Sequence, residues 1–211
     1  MAEPRAKRPD GRLRRQGEAT RARLLEAAVP ALAERGYHAT RVDDLVDRAG
    51  VSHGTFYTYF QNKEDFFRAL ATQCADEAAA LAASLGPVPP GAEGRAVLRP
   101  WLAEFLVLYQ RYGVVIRAWA ENQVSDRQLA RMGSAAFGRI ADTLTASMGD
   151  DPSRPSRAVQ LRSSAVLAML ERFAYVITSR DLGLDEDAVL DNLTLVVQRA
   201  FFAPATESLS S

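Results

Sequence analysis

Apolar residues along this chain recur at helical spacing, and the two-residue alternation of a half-buried strand is absent. The pattern therefore predicts helix almost throughout. A first helix is expected from Thr20, as its N-cap, to Arg35, with Leu24, Leu25, Ala28 and Leu32 on one side and Gly36 as its stop. Pro30 lies inside that span, removes the bond to the carbonyl of Glu26 and is expected to bend the helix. Thr40, with Asp43 three residues on, should begin a second helix whose inward residues are Val42, Leu45, Val46 and Ala49. Gly50 ends it. Ser52 is placed to cap a third helix reaching Phe60, and Asn62 a fourth reaching Ser84.

Beyond a proline- and glycine-rich loop from Gly86 to Gly94, helices are expected over 95–112, 113–122, 126–148, 156–180 and 185–202. Ser125-Asp126-Arg127-Gln128 resembles a capping box for the third of these. Pro152 and Pro155 break the following connection, and Pro204 follows the last helix. The predicted fold is all-α, a small N-terminal head on a larger helical body. Charged residues interrupt every apolar stretch well before 18 residues, so no membrane span is expected.

Charge changes this picture. The 26 basic and 26 acidic residues cancel overall, but not along the chain. Residues 1–23 hold eight Lys and Arg against three acids, a local +5; residues 1–70 carry +3 and the remainder −3. A basic head on an acidic body is an electrostatic footprint for nucleic acid, although it carries no sequence information. Residues 1–16 are expected to be a basic, disordered arm. One cysteine, Cys74, and two histidines, His38 and His53, exclude a disulfide framework and argue against a metal-ligand cluster. The N-terminus has no apolar stretch behind its charges, so it does not predict a secretory signal, and the expected compartment is the cytoplasm.

The informative run is Thr40 to Phe60, T-R-V-D-D-L-V-D-R-A-G-V-S-H-G-T-F-Y-T-Y-F. Two short helices joined by Ala49-Gly50-Val51-Ser52 have the spacing of a helix-turn-helix. The second offers His53, Gly54, Thr55, Tyr57 and Thr58 outward and Phe56 and Phe60 inward, which suits a recognition helix in a DNA major groove. Gly54 would let the backbone approach DNA closely. Tyr59 and Phe60 are expected in the core, and Arg48 as a solvated charge.

Together with A-E-R-G-Y upstream and N-K-E-D-F-F downstream, the G-T-F-Y-T-Y-F run resembles the tetracycline-repressor (TetR) family from Thr20 to Leu70. The resemblance implies a helix-turn-helix DNA-binding domain, here 17–65, joined by helix four to a ligand-binding and dimerisation domain, 66–211. It implies phosphate contacts from Tyr57, Lys63 and Thr40, with base reading by His53, Thr55 and Thr58. Arg41 would reach the groove edge or a phosphate, and Ser52 would serve first as a cap. The implied partners are a palindromic double-stranded operator, a second copy of the chain and a small effector.

In the body, helix 156–180 is apolar on two sides and so should be buried on two sides. The resemblance implies that, paired with the last helix, it forms the homodimer interface, through Val166, Leu170, Phe173, Ile177, Leu193 and Val197. Trp101, Phe105, Tyr109, Trp119, Phe137 and Phe173 fit an apolar cavity, with Gln110 and Asn122 as its few polar handles. A largely hydrophobic effector is expected, and neither cofactor nor metal. The chain has no Gly-rich phosphate loop, no G-x-S-x-G elbow and no histidine in the body, so an enzyme is not expected. The reading is a homodimeric repressor released by its ligand. The alternative is an activator or architectural DNA-binding protein that needs none.

Overall fold

The computed structural model describes residues 11–120, 127–149, 151–179 and 182–202. Among these the chain is helical throughout: α1 (Gly11–Ala39), α2 (Val42–Ala49), α3 (His53–Tyr59), α4 (Lys63–Ser84), α5 (Ala92–Ala120), α6 (Arg127–Ser147), α7 (Arg157–Ser179) and α8 (Glu186–Phe201). It divides into two compact units, the first ending at Leu70 and the second beginning at Ala71, so the division falls within α4.

In the first unit, Leu24, Leu25, Ala28 and Leu32 of α1 are buried, as their spacing predicts. They pack in one core with Leu45 and Val46 of α2, Phe56 and Phe60 beside α3, and Phe66, Phe67 and Leu70 of α4. Phe66 fixes the α3–α4 corner, its ring 4.9 Å from Phe60 and 5.6 Å from Phe56. The start of α1 differs from expectation. Helix begins at Gly11, and Thr20 is no cap, because its hydroxyl donates 2.9 Å back to the Gln16 carbonyl inside the helix. Residues 11–16, expected in the arm, are therefore helical; Leu13, Arg14, Arg15 and Gln16 are all strong helix formers. Dihedrals stay helical through the exposed Pro30, and the break falls at Gly36 (φ 74°, ψ 167°), the left-handed half of the map that glycine occupies at no steric cost.

The second unit is built around α5, which packs against α6, α7 and α8. Two helices were expected over 95–122; the described residues form one, through Pro100 and Gly113. Glycine inside a helix costs only about 1 kcal/mol, and burial of Tyr112, Val114, Val115 and Ile116 around it offsets that. The connection before α5 turns sharply on itself, since a Cβ at Gly94 would lie 1.9 Å from the Pro89 carbonyl oxygen. Asp185 caps α8 by accepting from the Asp187 amide at 3.2 Å. Ser125 and Asp126, half of the expected capping box, lie outside the described residues.

Candidate nucleic-acid interface and effector cavity

The turn between α2 and α3 is made by local chemistry. Gly50 adopts the left-handed conformation (φ 62°, ψ 40°), and its N–H and that of Val51 return to the carbonyls of Asp47 and Val46. Ser52 then caps α3, its hydroxyl oxygen accepting from the Thr55 amide at 3.1 Å. With Phe56 and Phe60 buried, α3 is rotated so that His53, Gly54, Tyr57 and Thr58 are exposed and Thr55 is half-buried. Tyr59 is half-buried rather than core, its ring lying against α1 at Gly17. The Thr58 hydroxyl donates to the Gly54 carbonyl at 2.8 Å, and those of Ser52 and Thr55 are 3.0 Å apart. His53 Nε2 lies 3.1 Å from Asp43 Oδ1, a pair exposed on both sides and correspondingly weak. Nothing but Ser52 Oγ, at 3.7 Å, would meet a Cβ at Gly54, so the head's own packing gives no reason for glycine there.

Two expected phosphate contacts are placed otherwise. Thr40 is fully buried, and its hydroxyl donates to the Gly36 carbonyl at 2.7 Å. It does not cap α2 either: Arg41 is the N-cap residue, exposed, with its N–H donating 2.8 Å to Asp44. Thr40 faces inward because the break at Gly36 leaves carbonyls that need donors. Lys63 supplies more of them. Its ammonium donates to the carbonyls of Tyr37 (3.0 Å), Thr40 (3.1 Å) and His38 (3.3 Å) and sits over the Tyr37 ring. In this conformation it clamps the end of α1 rather than facing outward. Arg23 does the same for α2, donating to the Ala49 carbonyl at 3.1 Å. Arg48, expected as a free charge, pairs with Glu34 at 2.7 Å, which holds the Glu34 carboxyl below its usual range.

In the body, Trp101, Phe105, Trp119 and Phe137 line one apolar cavity, together with Cys74, Ala78, Leu81 and Ala82 of α4 and Leu167 and Glu171 of α7. Its volume is about 30 Å³, little more than a water needs, so the aromatic rings largely fill their own space. Trp101 Nε1 donates to the Leu81 carbonyl at 2.8 Å, tying α5 to α4, while Trp119 Nε1 is buried with no acceptor among the described residues. Tyr109 is not in the wall. It lies behind it and donates its hydroxyl to Glu171 at 3.0 Å; burial first, then the Glu171 charge, pushes the phenol well above its usual pKa. Phe173 points away from the cavity, into an open groove between α7 and α8, and Gln110 lines a third depression with Ile177 and Leu190. Asn122 lies outside the described residues. Glu171 is the wall residue the sequence did not reveal, since its place depends on contacts with α5 far along the chain.

The interface residues also divide. Val166, Leu170, Leu193 and Val197 are buried within one chain, packed as core. The apolar side left open is the other one: Leu161 is 67% exposed and Val196 50%, and Val196 shares an open groove with Met169, Phe173 and Val189. No helix among the described residues is long and apolar enough to cross a membrane.

A three-helix head with a capped, outward polar helix, followed by a helical body, is the layout of a helix-turn-helix protein. Residues 24–70 match the family described as bacterial regulatory proteins, tetR family, and the head is a TetR-family helix-turn-helix domain. Over 47 residues the chain is 47% identical to the fatty acid metabolism regulator protein of Bacillus subtilis, a stretch covering 22% of this chain and 24% of that relative. Similarity of fold extends further. The TetR-like regulator LfrR of Mycobacterium smegmatis, solved with proflavine, superposes with a TM-score of 0.62 at 21% identity, covering 85% of this chain and 94% of LfrR. The regulator FadR of Bacillus subtilis, solved with stearoyl-CoA, gives 0.59 at 19% identity over 86% and 97%.

Proposed function

We propose that the chain is a homodimeric, cytoplasmic transcriptional repressor that binds a palindromic operator and is released from it by a small, largely apolar ligand. The observation that carries the DNA-binding half is the orientation of α3: its aromatic back is sealed in the core while His53, Gly54, Tyr57 and Thr58 stand in solvent. Base contacts specify and phosphate contacts position. His53, Thr55 and Thr58 are assigned to bases and Tyr57 to phosphate, with Arg41 and Ser52 at the groove edge. Gly54 leaves room for the duplex to approach. In this assignment Lys63 and Thr40 serve by shaping the α1–α2 corner.

Dimerisation falls to the exposed apolar side of α7 and α8, through Leu161, Met169, Phe173, Val189 and Val196. Two heads match half-sites about one DNA turn apart. Effector control falls to the aromatic cavity, and relatives of the same fold that hold stearoyl-CoA or proflavine support a ligand there. α4 supplies both Lys63 to the head and Cys74, Ala78, Leu81 and Ala82 to the cavity wall, so a ligand that parts those walls acts on the helix the head is built on. Such a ligand must bind the released state better than the DNA-bound one.

Binding selection on randomised half-sites tests the DNA reading. His53→Ala and Thr55→Ala should each change the preferred bases. Tyr57→Phe should weaken all sites by about 0.5–1.5 kcal/mol, the worth of one hydrogen bond. Identical preferences and affinities in all the variants would remove α3 from the interface. Loss of operator binding on adding a ligand would favour the released repressor over an architectural protein.

A further inference from the structure

The outward face of α3 carries none of the side chains that read a purine with paired hydrogen bonds. Among His53, Gly54, Thr55, Tyr57 and Thr58 there is no arginine, lysine, asparagine or glutamine. What remains reads by single hydrogen bonds and by methyl groups, so the direction of each hydrogen bond decides the base. Several of these groups have already placed their protons within the head. The Thr58 hydroxyl donates to the Gly54 carbonyl at 2.8 Å, which leaves its oxygen lone pairs and its methyl for a partner outside. His53 Nε2 lies 3.1 Å from Asp43 Oδ1. A carboxylate only accepts, so Nε2 carries the proton, and in the neutral ring Nδ1 is left as an acceptor. Ser52 and Thr55, with oxygens 3.0 Å apart, hold one hydroxyl proton between them, and the Ser52 oxygen also takes the Thr55 amide. The exposed Tyr57 keeps its phenol as a donor, but that group is assigned to phosphate.

In the major groove guanine presents two acceptors, N7 and O6, and is read by donors. Adenine presents its N6 amino group and thymine a C5 methyl, so only the A·T pair offers a donor and a methyl together. The G·C pair offers the cytosine amino group beside a bare C5. An acceptor and a methyl on one threonine therefore match A·T on both counts and G·C on one. Hydroxyls and methyls are short, and Gly54, with open space where a Cβ would stand except for Ser52 Oγ at 3.7 Å, lets the helix come close enough to use them. On the reading that α3 enters the major groove, we infer that the base pairs beneath it are A·T, chosen through the thymine methyl and the adenine amino group and not through purine N7 or guanine O6. Arg41, the exposed cation at the N-cap of α2, belongs to the groove edge and reads outside these pairs.

Selection on randomised half-sites with the full-length protein supplies the operator. The pairs whose preference relaxes in His53→Ala, Thr55→Ala or Thr58→Ala are those under α3, and they should be A·T. Competition binding with modified operators then separates methyl reading from other causes. Deoxyuridine in place of one such thymine removes only the methyl and should weaken binding about fourfold, the worth of one buried methyl-sized group. 7-Deazaadenine, which removes only N7, should change nothing. Where such a pair is changed to G·C, 5-methylcytosine in place of cytosine should recover about fourfold. Thr58→Ser keeps the hydroxyl and loses the methyl at an exposed position, so the head stays folded while deoxyuridine becomes silent at one thymine. G·C pairs under α3, a loss with 7-deazaadenine, or tolerance of deoxyuridine at every thymine, as when A·T is chosen by duplex shape, overturns the inference and leaves a DNA-reading α3 standing. No sequence preference at all, or one that none of the three alanine variants alters, overturns that reading with it.

Discussion

Gly133 and Gly138 lie five residues apart in α6, and the same substitution should move stability in opposite directions at the two positions. At Gly138, exposed and with no atom within 4 Å of an added Cβ, alanine only lowers the backbone cost of helix, by about 0.5–1 kcal/mol. At the buried Gly133 an added Cβ would stand 2.5 Å from Cγ of Trp119, 2.7 Å from its Cδ1 and 2.9 Å from its Cβ. These atoms are at the root of the indole, so no rotation of the ring tip relieves the clash; α5 and α6 must part or Trp119 must swing into the cavity. Overpacking of this kind costs roughly 1–3 kcal/mol, and with the helix gain subtracted Gly133→Ala should lose about 1–2 kcal/mol. The two variants should then differ by about 1.5–3 kcal/mol, or roughly 3–12 °C in midpoint for a chain of this size. Thermal unfolding followed by far-UV circular dichroism, at one protein concentration because dimerisation would shift midpoints, measures that gap. In a Trp119→Leu background Gly133→Ala should cost less, because the clashing ring is gone. If Gly133→Ala proves as stable as Gly138→Ala and leaves the tryptophan emission unchanged, the close approach of α6 to the cavity wall is wrong.

Lys63→Met should destabilise the head by roughly 1.5–3 kcal/mol with no DNA present, because the carbonyls of Tyr37, His38 and Thr40 lose a charged donor. Unchanged unfolding beside weakened operator binding would return Lys63 to a phosphate. Tyr112, whose hydroxyl donates to Glu77 at 2.7 Å, has its phenol pushed above the usual range by burial first and then by that bond, as burial does for Tyr109. Both stay neutral in the folded chain where an unfolded tyrosine ionises, near pH 10. Their stabilisation should be complete below that pH and decline as pH rises through it, checked by denaturant midpoints between pH 8 and 11 with Tyr112→Phe flattening the decline. Leu161→Glu with Val196→Glu should yield monomers in sedimentation equilibrium with the helical content intact; persistent dimers would place the interface elsewhere.

How much of this was legible in the sequence follows from how far apart the interacting residues lie. The turn at Gly50, the caps at Ser52 and Asn62 and the burial of Phe56 and Phe60 depend on neighbours within about one helical turn, and all were readable from the residues themselves. So was the apolar stripe of α1. The break expected between 112 and 113 does not form, because about 1 kcal/mol of helix cost at Gly113 yields to the burial around it. Thr40 looked like a cap, and Lys63 was expected on a phosphate, because their partners are set by the kink at Gly36, 23 to 26 residues from Lys63 for three of its contacts. On α7 and α8 two apolar sides were visible, but nothing in either segment says which one α5 covers. Packing made Val166, Leu170, Leu193 and Val197 core and left Leu161 and Val196 in solvent. The same rotation of α7 carries Glu171 into the aromatic wall, 62 residues from the tyrosine that holds it. Local rules set the elements and their ends; only tertiary packing chose the faces.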